Sequence, residues 1–339
     1  MIIAIVFLLF LLFLLLPFLP GALELSKKED ADPLYIAMDY IRSPRYFSQS
    51  FKELLQPALK ETNGETGFHE IVLSKKETLE ICRSMDIPDE KEIHHLLYVD
   101  GDLISGDRVL LDHEVYITHN GVFGRDNVIQ ALAAEGRVTL GQKTELRRWL
   151  DAEGDVHVGE QCNLGINISS GGSIFLGKNC VFRRVFAIPI ITGNREIPDS
   201  LELSIASKET PGQESSFIRQ KSQNVPKGSI LRNNLVFTRK VTIGSGTLIQ
   251  GNVKAYDEIV LEENVTIDGN IFADASIFIG PDARITGNVF SQKSVHISKG
   301  TIISNPLNIK SVIGKKAVNI EPNVLIYGFI STEGNGIVL

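Results

Sequence analysis

Residues 241 to 312 read VTIGSG, TLIQGN, VKAYDE, IVLEEN, VTIDGN, IFADAS, IFIGPD, ARITGN, VFSQKS, VHISKG, TIISNP, LNIKSV, a run of hexads in one register. Three hexads make an eighteen-residue unit: Val241, Ile259, Ile277 and Val295 open successive units, and Ile243, Leu261, Ile279 and Ile297 sit two places later. Gly-Asn pairs begin at Gly251, Gly269 and Gly287. Repetition at a fixed period decides architecture ahead of local propensity. Residues i and i+2 of a short strand share a face, and the remaining residues of each hexad turn a corner. The expected fold is therefore all-β: a three-sided parallel β-helix, a solenoid whose inward columns are Val, Ile, Leu and Ala. Ile267 and Ile285 occupy one inward column and should stack, with Arg284 pointing outward.

The period extends upstream. Val138, Val156 and Ile174 are again eighteen apart, followed two places later by Leu140, Val158 and Leu176 and then by Gly141, Gly159 and Gly177. The register loosens before Leu132, where 109–111 and 115–117 read as irregular starting coils, so the β-helix is placed at 101–339. The phase is lost after Ile191 and regained by about Leu231. The polar stretch between, at about 192–228, reads as an excursion looped out of one coil, because solenoids accept insertions at their corners. A smaller break falls at KSVIGKKA, after which Val318, Val324 and Ile337 continue the pattern.

Residues 1–22, MIIAIVFLLFLLFLLLPFLPGA, carry no charge and approach the length that spans a bilayer as a helix. A cleaved signal peptide is the alternative, but a basic n-region and a clean A-x-A site are both missing. Lys27 and Lys28 follow the apolar run, so the expectation is a retained single-pass transmembrane helix in the inner membrane, with the body in the cytoplasm. Residues 23–100 read as linker and a small α/β cap. Ser43-Pro44 starts a helix over RYFSQSFKELLQPALK, whose apolar side is Tyr46, Phe47, Phe51, Leu54 and Leu55. HEIVL reads as a strand, KKETLEICRSM as a helix and EIHHLLYV as a strand. An open solenoid end exposes unpaired backbone, so residues 30–100 are assigned to covering it.

Composition narrows function. The net charge is −7 with no basic run, which argues against a nucleic-acid partner. Three scattered cysteines make no disulfide framework, and Cys162 and Cys180 fit as stacked core residues. His94-His95, His113 and His119 have no ligand spacing that completes a metal site. With no phosphate loop, nucleophile elbow or triad, neither a cofactor nor a catalytic residue is expected. Contact surfaces are the remaining candidates. The apolar ending GFISTEGNGIVL offers Phe329, Ile330, Ile337, Val338 and Leu339 for end-to-end self-assembly, unless those residues fold back to close the rod. Phe272, Phe278 and Phe290 point outward and suit a lateral contact.

The cadence of Gly251-Asn252-Val253-Lys254-Ala255, Gly269-Asn270-Ile271-Phe272-Ala273 and Gly287-Asn288-Val289-Phe290-Ser291 resembles the bactofilins, polymer-forming bacterial cytoskeletal proteins. The resemblance is tight over 241–303, looser over 128–191, and absent from the anchor, the cap and the 192–228 excursion. It implies a scaffold that polymerises end to end without nucleotide and associates with membranes. This chain departs from the compact form in length and in its large cap. A rival reading comes from hexapeptide acyltransferases, which also build three-sided helices from eighteen-residue coils. These need a histidine base at a subunit interface. His157 and His296, outward on one face, are the residues that could serve.

Overall fold

The inward columns are continuous stacks of strands hydrogen-bonded in parallel from coil to coil. The computed structural model describes residues 7, 10, 13, 14, 16–19, 43–61, 69–73, 77–193, 217–220 and 223–339. Val241, Ile259, Ile277 and Val295 pair in one column, and Ile249, Ile267, Ile285 and Ile303 in a second. Val253, Ile271 and Val289 form a third, and each of these side chains is at most 2 % exposed. β-branched residues fit these pleated, fully buried columns.

Corners explain the polar part of the repeat. Asp126, Lys143, Gln161, Asn179, Asn264 and Asp282 each turn a corner in the left-handed conformation, with φ between 56° and 60°. Asn and Asp tolerate that region better than most residues. The Gly-Asn pairs serve another corner, where Asn252 Oδ1 accepts the Asn270 N–H and Asn270 Oδ1 accepts the Asn288 N–H, both at 2.8 Å. A Cβ at Gly269 would lie 2.3 Å from the Gly251 carbonyl oxygen, so the column admits only glycine there.

The first coil begins earlier than the repeat suggests. Thr78–Cys82, Met85–Ile87 and Glu92–Ile93 pair in parallel with Leu96–Val99, Leu103–Ser105 and the start of Leu110–Ile117. The boundary at 101 therefore moves to about 78, and KKETLEICRSM supplies strands rather than a helix. Its Leu79 and Ile81, two residues apart, are buried on one face, in the outer layer beneath the helix, and Cys82 packs against the rod's core from the other face, the two-residue period of a strand. A second slip lies near the other end. Val295 pairs with Val318 and Val289 with Val312, so five residues are inserted after Ile303. They project around Leu307, which is 99 % exposed; the hexad TIISNP keeps the register through Ile303, and LNIKSV does not continue it.

The helix Tyr46–Glu61 forms where the sequence places it, but it lies along the rod's flank rather than over its end. Phe51, Leu55 and Ala58 pack on an outward row of Leu96, Tyr116, Ala131, Ala133 and Trp149. Arg45 fastens its start through Asp151 at 2.9 Å and Glu153 at 2.7 Å. At the rod's tip, His69–Val72 pairs antiparallel with Thr78–Cys82. Among the described residues, Met85–Ile87 and Glu92–Ile93 have strand neighbours on one side only.

Two ladders of coils meet in the middle. The first runs from Thr78 to Thr192 and the second from Phe217 to Val338, and their last coils face each other. The segment around 192–228 is thus not a loop out of one coil. Ile191 pairs with Leu325, while Phe217–Gln220 and Asn224–Val225 are the opening strands of the second ladder, at its far tip. Gly193 and Phe217 thus stand at opposite ends of the second ladder, which is about 30 Å long at ~4.8 Å per coil. About thirteen coils give a rod of roughly 60 Å.

Contacts divide the chain into Met1–Ile36 and Ala37–Leu339. In the former a 3-10 turn spans Leu16–Phe18. The expected anchor at 1–22 lies mostly outside the described residues; among those described, no helix is long and apolar enough to cross a membrane.

Candidate functional site

The seam between the ladders is where the sequence's assembly residues are found. Val181–Thr192 and Leu325–Val338 each wrap a whole coil as one strand, and they pair antiparallel on all three sides of the rod. Val181 faces Ile337 on one side, Val185 and Phe186 face Ile330 and Phe329 on the next, and Ile190 faces Ile326 on the third. Corners are pinned as well. Val338 N–H donates to the Cys180 carbonyl at 3.0 Å, and Asn323 N–H to the Thr192 carbonyl at 2.7 Å.

This placement corrects the expected use of Phe329, Ile330, Ile337, Val338 and Leu339. Their strand is paired within the chain, so its edge is not open to a second copy. Ile330 and Val338 are buried in the common core, Phe329 and Ile337 are half-buried, and Leu339 is 46 % exposed. One hydrophobic core runs from Ile87 through the seam to Val338. Phe182 and Gly336 fit the two ends together. A Cβ at 336 would lie 2.1 Å from the Phe182 ring, so the glycine makes room for the phenylalanine that fills the slot. Sequence reading passed over both residues. The signal was present: VFRRVFAIPIIT and LIYGFISTEGNGIV are long strands, each spanning a whole coil, unlike the three-residue strands of the repeats.

Outward aromatics form columns. Phe272 and Phe290 stack at 5.3 Å with planes 2° apart, and Phe278 stacks on His296 at 4.6 Å. Both pairs lie in adjacent coils, and Phe272 and Phe290 are half-buried by each other and their neighbours. His157 stacks on Phe175 at 4.4 Å. His296 Nδ1 lies 3.2 Å from Asn319 Nδ2, and burial holds its imidazole below the ordinary range, with Glu258 pulling the other way. The two histidines sit on different ladders and are not brought together.

His94 and His95 turn to opposite partners, Asp112 at 2.6 Å and Glu80 at 2.5 Å, as adjacent residues of an extended segment should. Hydrogen bonding to Asp112 holds the His94 imidazole above its usual value. No group of three or more His, Cys, Asp or Glu side chains converges as a metal site among the described residues. Cys162 and Cys180 are buried free thiols in consecutive coils; the contact with Cys162 and then burial push the Cys180 thiol up.

A cavity of about 420 Å³ lies beside the seam, between the start of the helix and the outer faces of both ladders. Arg184 is the charged side chain in its wall. The chain matches no family model, no curated protein and no solved structure.

Proposed function

We propose that this chain is a membrane-anchored scaffold of the bactofilin kind, self-assembling through the ends of its β-helix without nucleotide. The observation that carries the reading is the seam, where two coil ends of this sequence close on each other through backbone pairing and apolar packing. Each tip presents strands paired on one side only among the described residues, so a second copy can join it by the same means. The seam reverses chain direction, which makes both tips opening coils. Like tips joining alike would form a symmetric, isologous contact. The resemblance of 241–303 to the bactofilin repeat supports the same reading. Residues 1–22 would hold the rod in the inner membrane, with the body in the cytoplasm.

Electron microscopy of the purified chain lacking residues 1–28 tests assembly. Filaments or tip-joined dimers are expected, weakened by Ile230→Lys at the second tip, where Ile230 is 65 % exposed. Compact trimers that transfer an acyl group, with activity lost on changing His157 or His296, would replace the scaffold by the transferase. Location is tested separately: the full chain should stay with membranes through an alkaline carbonate wash. A mature N-terminus near Leu23 would instead place the body across the membrane.

A further inference from the structure

We infer that the cavity beside the seam binds a small monocarboxylate carried on an aromatic or acyl body. Its volume, about 420 Å³, lies within the range of small-molecule sites, roughly 300–1,000 Å³. Three separate parts of the chain build it. Tyr46 and Phe47 come from the first turn of the helix, Arg184 and Phe186 from the last coil of the first ladder, and Phe329 and Ser331 from the last coil of the second. The seam therefore creates the site: the Phe186 and Phe329 rings meet across it at 4.4 Å. Phe47 is held in place by stacking on Trp149 at 5.9 Å with planes 13° apart.

Charge selects the ligand's head group. Arg184 is exposed and makes no ion pair with a described residue, and among the described residues no carboxylate shares the cavity wall. Arg45, next to the wall, is by contrast fully engaged by Asp151 and Glu153. A guanidinium presents a planar fork of N–H donors that matches the two oxygens of a carboxylate. A single cation suits a single negative charge and leaves a polyphosphate largely uncompensated. The aromatic walls then suit an apolar body, which gains by leaving water. Asn167, also in the wall, donates from Nδ2 to the Pro44 carbonyl at 3.3 Å and so ties the wall to the segment that leads into the helix.

The full chain carries its own reporter, because Trp149 is the sole tryptophan and stacks on a wall residue. Titration with 3-phenylpropionate and with decanoate, followed by tryptophan fluorescence and calorimetry, should give a saturable signal for at least one acid. The neutral 3-phenylpropionamide should bind far more weakly. Arg184→Gln should weaken the acid by about tenfold or more at an unchanged melting temperature. Ser331→Trp should fill the cavity and abolish binding, as calorimetry reads it. No saturable signal from either acid up to millimolar concentration overturns the inference. So does an amide that binds as tightly as its acid, or an Arg184→Gln chain that binds the acid as the parent does.

Discussion

At the scale of single residues, the rod is held by side chains with one permitted occupant. Ile285 is 2 % exposed and sits in register with Ile267 below and Ile303 above, so trimming it leaves a void that the stack cannot close. Ile285→Ala should lower stability by about 2–5 kcal/mol in urea unfolding. Ile285→Asp adds an unpaired buried charge and should prevent recovery of folded protein. Arg284→Ala, its outward neighbour, should change stability by no more than about 0.5 kcal/mol. A folded, equally stable Ile285→Asp chain would refute the register. Asn270 acts through hydrogen bonds: its Oδ1 accepts both the N–H and the Nδ2 of Asn288. Asn270→Ala leaves that backbone donor unmatched and should cost about 1–3 kcal/mol in the same assay. These positions were legible from spacing, because inward side chains recur at every coil. The register errors came from insertions, as at Leu307, where five extra residues leave the hexad pattern superficially intact.

At the scale of elements, the helix shows how local signals identify a segment without fixing its neighbour. Ser43-Pro44 and most of the apolar side of Tyr46–Glu61 were readable, though Leu54, read into that side, is 67 % exposed; the surface that receives the helix was not. The receiving residues, Tyr116, Ala131, Ala133 and Trp149, are scattered over three coils as outward positions, and small or aromatic outward residues carry no period of their own. Ion pairs fix the docking. Arg45 hydrogen bonds hold the Glu153 carboxyl below its ordinary 4.5. Burial acts to raise Glu135, but Lys52 and Tyr116 outweigh it and hold that carboxyl low too. Folded values below unfolded ones mean a stabilisation present above pH 4.5 and lost as pH falls through the depressed values. Acid titration should therefore release the helix before the coils unfold, read as a change in Trp149 fluorescence ahead of the loss of β-sheet circular dichroism. Arg45→Ala strips the cation from Asp151, whose side chain is 2 % exposed, and should cost about 3–5 kcal/mol in thermal unfolding. Ser48 and Ser169 also hydrogen-bond Asp151 and place the true cost toward the lower end of that range.

At the scale of the whole molecule, the two ladders behave as two bodies joined end to end by one seam and one covalent connection. A protease site inserted at residue 205, followed by cleavage, should leave two fragments that elute together under native conditions. Fragments that separate would show the seam to be too weak to hold them. Gly336→Val places a side chain against the Phe182 ring and should weaken that association while leaving each ladder's sheet signal in place. The repeat made the solenoid legible, but not its reversal. Parallel coils imply no partner beyond the next coil. The pairing of Val181–Thr192 with Leu325–Val338 is antiparallel and far apart in sequence, which no eighteen-residue period encodes.

That separation has a consequence for the chain as it is made. Val181 must wait for Ile337, and Val185 for Ile330, so the first ladder emerges from the ribosome with its final coil unmatched. At about 5–20 residues per second the wait is on the order of ten seconds. Through it an apolar stack with three bare strand edges stands beside identical stacks on neighbouring ribosomes of the same message. Translation speed through the second ladder therefore sets how often a nascent rod seals upon itself and how often it is stitched to its sibling.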